Sequence, residues 1–413
     1  MKILFTCAYF PPEKAASIYL TENLVEDLSR QGNKVAVFTP SPTRGIDDKT
    51  RESYLKRPLE TLCDGNATIR RFPLYKEGRN PIGRALRYFI CTLQHTYYAL
   101  KERYDILFLD STPPTQGIIG AVVKALRHKK VVYNLQDIFP DSLVSTGLAK
   151  KDSILWKIGR AIENMTYCNA DKIIVISEDF KRNIAAKGVP EDKIEVVYNW
   201  VDEKSVVPVQ RKDNPLFEEF GLNRSDFFVV YAGNLGSAQN IDIILHAADK
   251  TRDVADLKYL IFGNEEQAAE YRSKAESMRL TNLRFLPIQP YERVSFVYSL
   301  GNAAIVSCKK GFGQIAMPSK TWSIMSAGTA VIASFDGGGD LQNIIESNRA
   351  GLFTQAESTD EFTDAIMRLH ENPNECEAMG KRGREFIIRN LTREIGTSRY
   401  SEIFTSLYKN RNA

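Results

Sequence analysis

The chain has 413 residues, 43% hydrophobic and 26% charged, with a net charge of +4. That length favours two domains over one, and that composition belongs to a folded globular protein, which excludes disordered and collagen-like chains. No stretch approaches the roughly 18 consecutive apolar residues of a membrane-spanning helix, and the opening MKILFTCAYFPPE is too short in its apolar run for a signal peptide, since Pro11–Pro12 end it.

In chain order, KILFTC (2–7) is a short apolar run that reads as a buried parallel strand. SIYLTENLVEDLSRQG spaces Leu20, Leu24, Val25 and Leu28 for a helix, with Gly32 as its stop, and KVAVFTP is a second strand. This is a β-α-β unit. The alternation continues through DILFLD (105–110), the helix QGIIGAVVKALR, KVVYNL (130–135), the helix SILWKIGRAIENMTY, DKIIVIS (171–177), the helix SEDFKRNIAAKG and KIEVVYN. At 201–215, VDEKSVVPVQRKDNP is polar with two prolines and reads as a linker. Alternation then restarts with DFFVVYAGN (226–234), a helix from Asn240, LKYLIFGN (257–264), a helix over 265–279, LRFLP, AAIVSC, a helix from Ser319, AVIASF and a helix from Asp340. The fold class is therefore α/β, with two doubly wound, Rossmann-like domains. The expected bounds are 1–203 and 204–385, followed by a helical tail, 386–413, that packs back on the first domain. In open α/β sheets, ligands bind outside the carboxyl ends of the strands, so the expected site is a cleft between the halves.

Charge separates the halves. Residues 1–200 carry 30 basic against 23 acidic side chains, and 201–413 has a net −3; the stretch 44–103 alone holds 13 basic against 7 acidic. Different partners are expected for the two halves, none of them nucleic acid. The six cysteines are scattered with no C-x-x-C pair, as reduced thiols of a cytoplasmic protein would be, and the four histidines show no metal-ligand spacing.

Three loops of the second half suit a phosphorylated ligand. In YAGNLGSAQN (231–240), Gly233, Asn234, Gly236 and Gln239 lie between a strand and a helix, where glycines admit a close ligand and free N–H groups bind an anion; the same residues fit an ordinary strand-to-helix turn. In MPSKTW, Ser319 is placed to cap a helix whose first turn holds Lys320, a cation in a field that disfavours cations unless an anion arrives; a solvated lysine at a buried helix is the plain alternative. In FDGGGD, Gly337, Gly338 and Gly339 form a candidate anion nest, and Asp340 either caps the next helix or holds sugar hydroxyls. The nicotinamide fingerprint G-x-G-x-x-G, the G-x-x-x-x-G-K-[ST] phosphate loop and any D-x-D metal triplet are missing from the sequence, which leaves a nucleotide sugar held without metal or other cofactor.

With these residues in view, the chain resembles the GT-B-fold, retaining glycosyltransferases of family 4 (group 1), and within them the O-antigen and capsule subgroup typified by fucosamine-type transferases. FTCAYFPPEKAAS is similar to that family's opening strand and loop. NLQDIFPDS (134–142) resembles its D-L-W-P-E-S segment, and ISEDFKRNIAAKGVPEDKIEVVYNWVD (176–202) its S-E…G-V-P…P-N-W-V-D pattern. YAGNLGSAQNID, the PSK helix and FDGGGD resemble its donor-domain signatures. The sequence departs from the broad family at Ala15–Ala16, where a glycine pair is usual, in the loop from Leu235 to Gln239, where Arg and Lys are usual, and at Ile315 and Ser323, where the family has two glutamates. Ser323 is left to hydrogen-bond the ribose in place of a carboxylate.

The resemblance implies same-face sugar transfer from a UDP-sugar, in which the leaving diphosphate takes the acceptor proton. Lys320, the Ser319 helix start and the Gly337–Gly339 nest would stabilise the charge growing on it. It also implies a nucleobase near Gly263–Asn264 and Pro287, within LPIQPYE, and a polyprenyl-pyrophosphate-linked or saccharide acceptor. Asp137 is the candidate for acceptor positioning or base chemistry, with loop capping as its plain alternative. Glu13, Lys14, Ala15 and Ala16 are placed to reach the acceptor. KEGRNPIGRALRYFICTLQ (76–94) sets Arg79, Arg84 and Arg87 beside Ile82, Leu86, Phe89, Ile90 and Leu93, a face for an anionic membrane or a lipid pyrophosphate, or else a helix packed on the sheet with solvated arginines. The expected place is the cytoplasm, peripheral at the inner face of the plasma membrane. Three rival readings stand beside this one: a GT-B-fold nucleotide-sugar 2-epimerase, a catalytically degenerate partner subunit, and a nicotinamide dehydrogenase. Sugar, linkage and oligomeric state are not legible.

Overall fold

A computed structural model describes every residue except 14–17, 79, 146, 148, 314 and 413. The chain divides into two compact units, Met1–Asn199 with Glu394–Ala413, and Trp200–Arg393. Each is built on one open sheet.

The first sheet contains β1 (Lys2–Thr6), β2 (Lys34–Pro40), β3 (Leu59–Leu62), β4 (Ala67–Phe72), β5 (Ile106–Asp110), β6 (Lys130–Leu135), β7 (Lys172–Val175) and β8 (Ile194–Val196). Their order is β3-β4-β2-β1-β5-β6-β7-β8, parallel except where β3 meets β4. Helices cover this kind of sheet on both faces, which is why its central strands read as unbroken apolar runs. From β1 the chain steps outward through β2 and β4 on one side and restarts at β5 on the other, so β1 and β5 flank the point where the strand order reverses. The edge pair β3–β4 has no such sequence signature. β3 is largely exposed, and ATIRRF carries two arginines, of which Arg71 is buried, paired with Glu60 at 3.0 Å, donating to the Pro11 carbonyl and lying over the Tyr54 ring at 4.7 Å.

The second sheet contains β9 (Phe227–Ala232), β10 (Leu257–Gly263), β11 (Leu283–Pro287), β12 (Ala303–Ser307), β13 (Ala330–Phe335) and β14 (Gly351–Gln355). It is all parallel, in the order β11-β10-β9-β12-β13-β14, with its reversal between β9 and β12. These two sheets are the two doubly wound, Rossmann-like domains expected.

The expected linker is not one. Val206 is buried, the Val207 and Val209 amides donate to Ser295 Oγ and Ser299 Oγ, each at 3.0 Å, and the Arg384 guanidinium donates to the carbonyls of Val206 and Glu203. Segment 200–213 is thus fastened to the second unit through its backbone, while Lys204, Gln210, Lys212 and Asp213 stay exposed. The tail also divides differently. Helix Pro373–Asn390 packs on the second unit, with Gly380 so close to the Gly328 carbonyl that no Cβ fits between them. Only the chain from Glu394 onward joins the first unit.

That last helix, Arg393–Asn412, completes the first core. Phe404 is fully buried, 5.8 Å from the Phe108 ring, and Tyr400 donates to Asn134 Oδ1 at 2.9 Å. Thr397 Oγ1 donates to Asp27 Oδ2 at 3.0 Å. Replacing Phe404 by Ala is expected to destabilise the first unit by about 3–5 kcal/mol, read as a lower denaturant midpoint. Tyr400→Phe, which removes one hydrogen bond but no volume, is expected to cost only about 0.5–1.5 kcal/mol.

Candidate functional site

The reversal between β9 and β12 is where an open sheet offers a ligand crevice, and Lys320 stands there. The loop Gly233–Asn240 leaves β9, and the loop from Cys308 leaves β12 and runs into helix Lys320–Ser326. The Lys320 side chain is only half-buried as a whole, but its ammonium nitrogen is sealed from solvent and has no hydrogen-bond partner among the described residues. It lies 3.9 Å from the centre of the Tyr231 ring, a cation–π contact that compensates only in part for the water it has lost. Burial lowers its pKa to about 7, against a small opposing pull from Cys308. Gly233 roofs the same spot: with φ +138 and room for a Cβ only 3.0 Å from Lys320 Nζ, it is a position that favours glycine on both counts. Gln239 Oε1 is a second buried atom in this loop without a partner among the described residues.

The loops are braced by their own backbone and by one carboxylate. The Lys309 amide donates to the Ala238 carbonyl at 2.8 Å, and Ser307 Oγ to the Gln239 carbonyl at 2.6 Å. Asp336 Oδ2 accepts from the amides of Gly311 and Gly313, at 2.7 and 2.8 Å, tying the β12 loop to the β13 loop. Sequence reading missed Tyr231 and Asp336. Both lie inside motifs already singled out, YAGN and FDGGGD, but their roles are contacts across loops.

Several expected roles change. Ser319 has helical backbone angles and makes no side-chain cap, because the helical turn already begins at Pro318, whose carbonyl accepts from Thr321. Ser323, half-buried, is one turn further along. Of the glycine nest, the Gly338 amide is taken by Gln342 Oε1 at 2.8 Å, while Gly337 is exposed and Gly339 precedes helix Asp340–Ser347. Asp340 is buried in that helix's first turn. Asn264 caps helix Glu265–Ser277 by accepting from the Glu266 amide at 2.9 Å. Asn234, exposed, accepts from Gln267 Nε2 at 2.7 Å, and Gly236 lies between the Asn234 and Gln239 side chains. Gly263 and Pro287 are register partners at the ends of β10 and β11, and beside them Ile288 is 55% exposed, an apolar ledge suited to a planar ring.

In the first unit, Glu13 is a clamp. Its carboxylate accepts from the amides of Thr43 (2.8 Å), Arg44 (3.0 Å) and Phe10 (3.3 Å) and from Thr43 Oγ1 (3.4 Å), four bonds that fill the lone pairs an acceptor would need. Lys14, Ala15 and Ala16 lie outside the described residues, as does Arg79. Asp137 is exposed in the loop after β6 and accepts from Ser142 Oγ at 3.1 Å. Arg87 turns inward, donating to the Tyr75 carbonyl and to Thr43 Oγ1, so it is not on a basic face. Arg84 is half-exposed and paired with Glu77 at 3.2 Å. Helix Pro81–Lys101 instead exposes an apolar row, Ile82, Leu86, Phe89, Leu93 and Tyr97, with Ile82 78% exposed. Among the described residues, no helix is long and apolar enough to cross a membrane, and no group of acidic, His or Cys side chains could hold a metal ion.

Two family profiles match the chain: Glycosyltransferase Family 4 over residues 19–205, and Glycosyl transferases group 1 over residues 213–386. It is 25% identical over 361 residues to the putative colanic acid biosynthesis glycosyl transferase WcaI of Escherichia coli, a match covering 84% of this chain and 86% of WcaI. Among solved structures it resembles the sucrose-phosphate synthase of Thermosynechococcus elongatus, with a TM-score of 0.78 and 17% identity over 99% of both chains. It also resembles Anabaena Alr3699/HepE crystallised with UDP-glucose, with a TM-score of 0.71 and 14% identity over 98% of this chain and 100% of that one. The fold is that of the GT-B glycosyltransferases. The chain is thus a glycosyltransferase that joins a family 4 domain on its N-terminal side to a group 1 domain on its C-terminal side.

Proposed function

We propose that this chain moves a sugar from a UDP-sugar to a polyprenyl-pyrophosphate-linked or saccharide acceptor, with retention at the anomeric carbon, in the assembly of a bacterial surface polysaccharide. One observation carries the donor reading: a desolvated ammonium, Lys320 Nζ, without a hydrogen-bond partner among the described residues, beneath a glycine at the reversal point of the second sheet. An unpaired buried cation is costly, and a diphosphate is the ligand that relieves the cost there. The charge that grows on the leaving diphosphate would then meet a fixed cation in a water-poor site. Gly233, Gly236 and Gln239 would line the phosphates, and the ledge at Gly263, Pro287 and Ile288 would take the uracil. Ser323 and Asp340 remain the proposed contacts to ribose and sugar hydroxyls, and Asp137 the proposed acceptor-positioning group. The colanic acid named in WcaI's description and the UDP-glucose named for HepE support the substrate class. No metal is given a role in this reading.

UDP is expected to raise the melting temperature, and Lys320→Ala to weaken UDP binding about ten- to a hundredfold, since hydrogen bonds to charged groups are worth about 1.5–3 kcal/mol. Unchanged affinity and turnover in that variant would remove the role assigned to Lys320. UDP binding with neither sugar transfer nor epimerisation of any nucleotide sugar would favour the degenerate-subunit reading, and epimerisation without transfer the 2-epimerase.

The pH dependence has a definite sign. The free lysine loses its proton near pH 7, whereas a bound diphosphate would hold it, so binding takes up a proton and affinity falls above that pH by at most about tenfold per unit. Unfolded lysine titrates near 10.5, so burial costs the free protein most at and below pH 7, and this cost is relieved as pH rises toward 10.5. Lys320→Met should therefore melt above the wild type at pH 6–7 without ligand, with the gap closing in alkaline buffer.

The lipid-linked acceptor places the protein at a membrane face, and the exposed row on helix Pro81–Lys101 is the proposed contact. With Arg87 turned inward, attachment would rest more on insertion than on charge. Co-sedimentation with anionic vesicles is expected to survive moderate salt and to be lost in a Leu86→Ser/Phe89→Ser double variant. Binding that vanishes with salt in the wild type, or persists in the variant, would count against that row.

A further inference from the structure

The donor reading leaves charge unbalanced. A nucleotide sugar has one ionised oxygen on each phosphoryl group. Once the sugar leaves, the terminal phosphate gains a second, with a pKa near 6, so about three negative charges must be held at neutral pH. Lys320 supplies one buried cation, and the Asp336 carboxylate stands in the neighbouring loop with the opposite sign; both act electrostatically on Cys308. Without metal, a diphosphate there calls for a second cation.

The root of the β12 loop offers one. The Cys308 amide donates to the Ser334 carbonyl of β13 at 3.0 Å, and its thiol donates to the Ala238 carbonyl at 3.0 Å. The same carbonyl accepts from the Lys309 amide at 2.8 Å. Lys309 therefore starts where the β9 and β12 loops are fastened together, directly after a residue within electrostatic range of Lys320. The Lys310 amide donates to Glu357 Oε1 at 3.3 Å, in the turn after β14, and the amides of Gly311 and Gly313 donate to Asp336. Every one of these four amide bonds holds main chain, and none uses a lysine ammonium. Lys309 and Lys310 are both exposed, and neither has an ion pair among the described residues. They differ in what they are rooted on. Lys310 is anchored to a carboxylate, whereas Lys309 is anchored to the loop whose Gly233 roofs the Lys320 nitrogen.

We propose that Lys309 is the second cation of the donor site, reaching the terminal phosphate and holding, together with Lys320, the charge that grows there as the sugar leaves. The assignment rests on the donor reading above. The two cations divide the task by their burial. Lys320 is fixed before a ligand arrives. Lys309 keeps its four-carbon stem free to turn in water, so its contact costs side-chain freedom and is screened by salt. In return it leaves the empty protein undisturbed, whereas a second buried ammonium beside Lys320 would be repelled strongly where water is scarce. A fixed backbone with a mobile side chain suits a group needed only once the diphosphate is in place.

Calorimetric titration of the full chain with UDP and with UMP tests it, because UMP lacks the terminal phosphate. Lys309→Gln, at an exposed position that leaves the core alone, is expected to weaken UDP about five- to tenfold and UMP by under about twofold. Lys309→Arg should return UDP affinity to within about twofold of the wild type, and the loss in Lys309→Gln should shrink as salt is raised. Lys310→Gln, in the same turn and also exposed, is the control and should leave UDP affinity unchanged. Equal UDP affinity in Lys309→Gln and the wild type, an equal loss for UMP, an equal loss in Lys310→Gln, or a loss that Lys309→Arg does not recover overturns the proposal and leaves the donor reading standing. A wild type that binds no UDP ends both.

Discussion

The ammonium of Lys320 is the constraint around which the second unit is organised. It is withdrawn from water, placed over an aromatic ring, and without a hydrogen-bond partner among the described residues. Nothing about folding rewards that arrangement; a methionine of similar length would satisfy the packing at lower cost. The surrounding features follow from tolerating it. Gly233 keeps a Cβ away from the nitrogen, Asp336 pins the loop that leads into the lysine's helix, and Tyr231 supplies a ring whose hydroxyl is anchored on the Asn234 carbonyl at 2.6 Å. On the metal-free donor reading proposed above, the cation would be fixed in advance, since a mobile surface lysine would lose side-chain freedom with every ligand bound.

The two sheets use one topological device for different chemistry. In each, the strand order reverses beside the first strand of the unit, and the loops on either side of that reversal diverge. In the second unit the diverging loops are rich in glycine and carry a buried cation. In the first they carry a buried carboxyl, amide side chains and an aromatic ring. The geometry is shared, and the side chains are not. The C-terminal helix matters to the first crevice as well as to the core, because Tyr400 orients Asn134, which orients Asp110.

Where expectation and structure part, the cause is mostly the same: polar groups that look available are already used. Glu13 closes a loop on three amides, Asn264 caps a helix, the Gly338 amide is taken by Gln342, and Arg87 supports backbone carbonyls. Buried or half-buried hydrogen-bonding groups find partners within the fold, and a linear pattern does not reveal which partner wins. Lys320 Nζ and Gln239 Oε1 belong to a small set of buried polar atoms that have no partner among the described residues. The exposed row from Ile82 to Tyr97 stands out for the converse reason, being apolar where water should be.

Periodicity was enough to specify the α/β class and the central strands, and glycine-bearing turns marked the loops proposed for the donor, since strands buried on both faces and such turns are local properties of a chain. Residues that lie far apart in the chain had to be brought together before Asp336 could be seen bracing Gly311 and Gly313, or Tyr400 reaching Asn134 across 266 positions. The same holds for the edge pair β3–β4, which pairs through β-ladder contacts rather than an apolar signature, and for segment 200–213, which reads as a tether until the side chains that hold its backbone are in place. Hydrogen-bond satisfaction and burial are sums over neighbours in space, so they belong to the fold and not to any stretch of sequence.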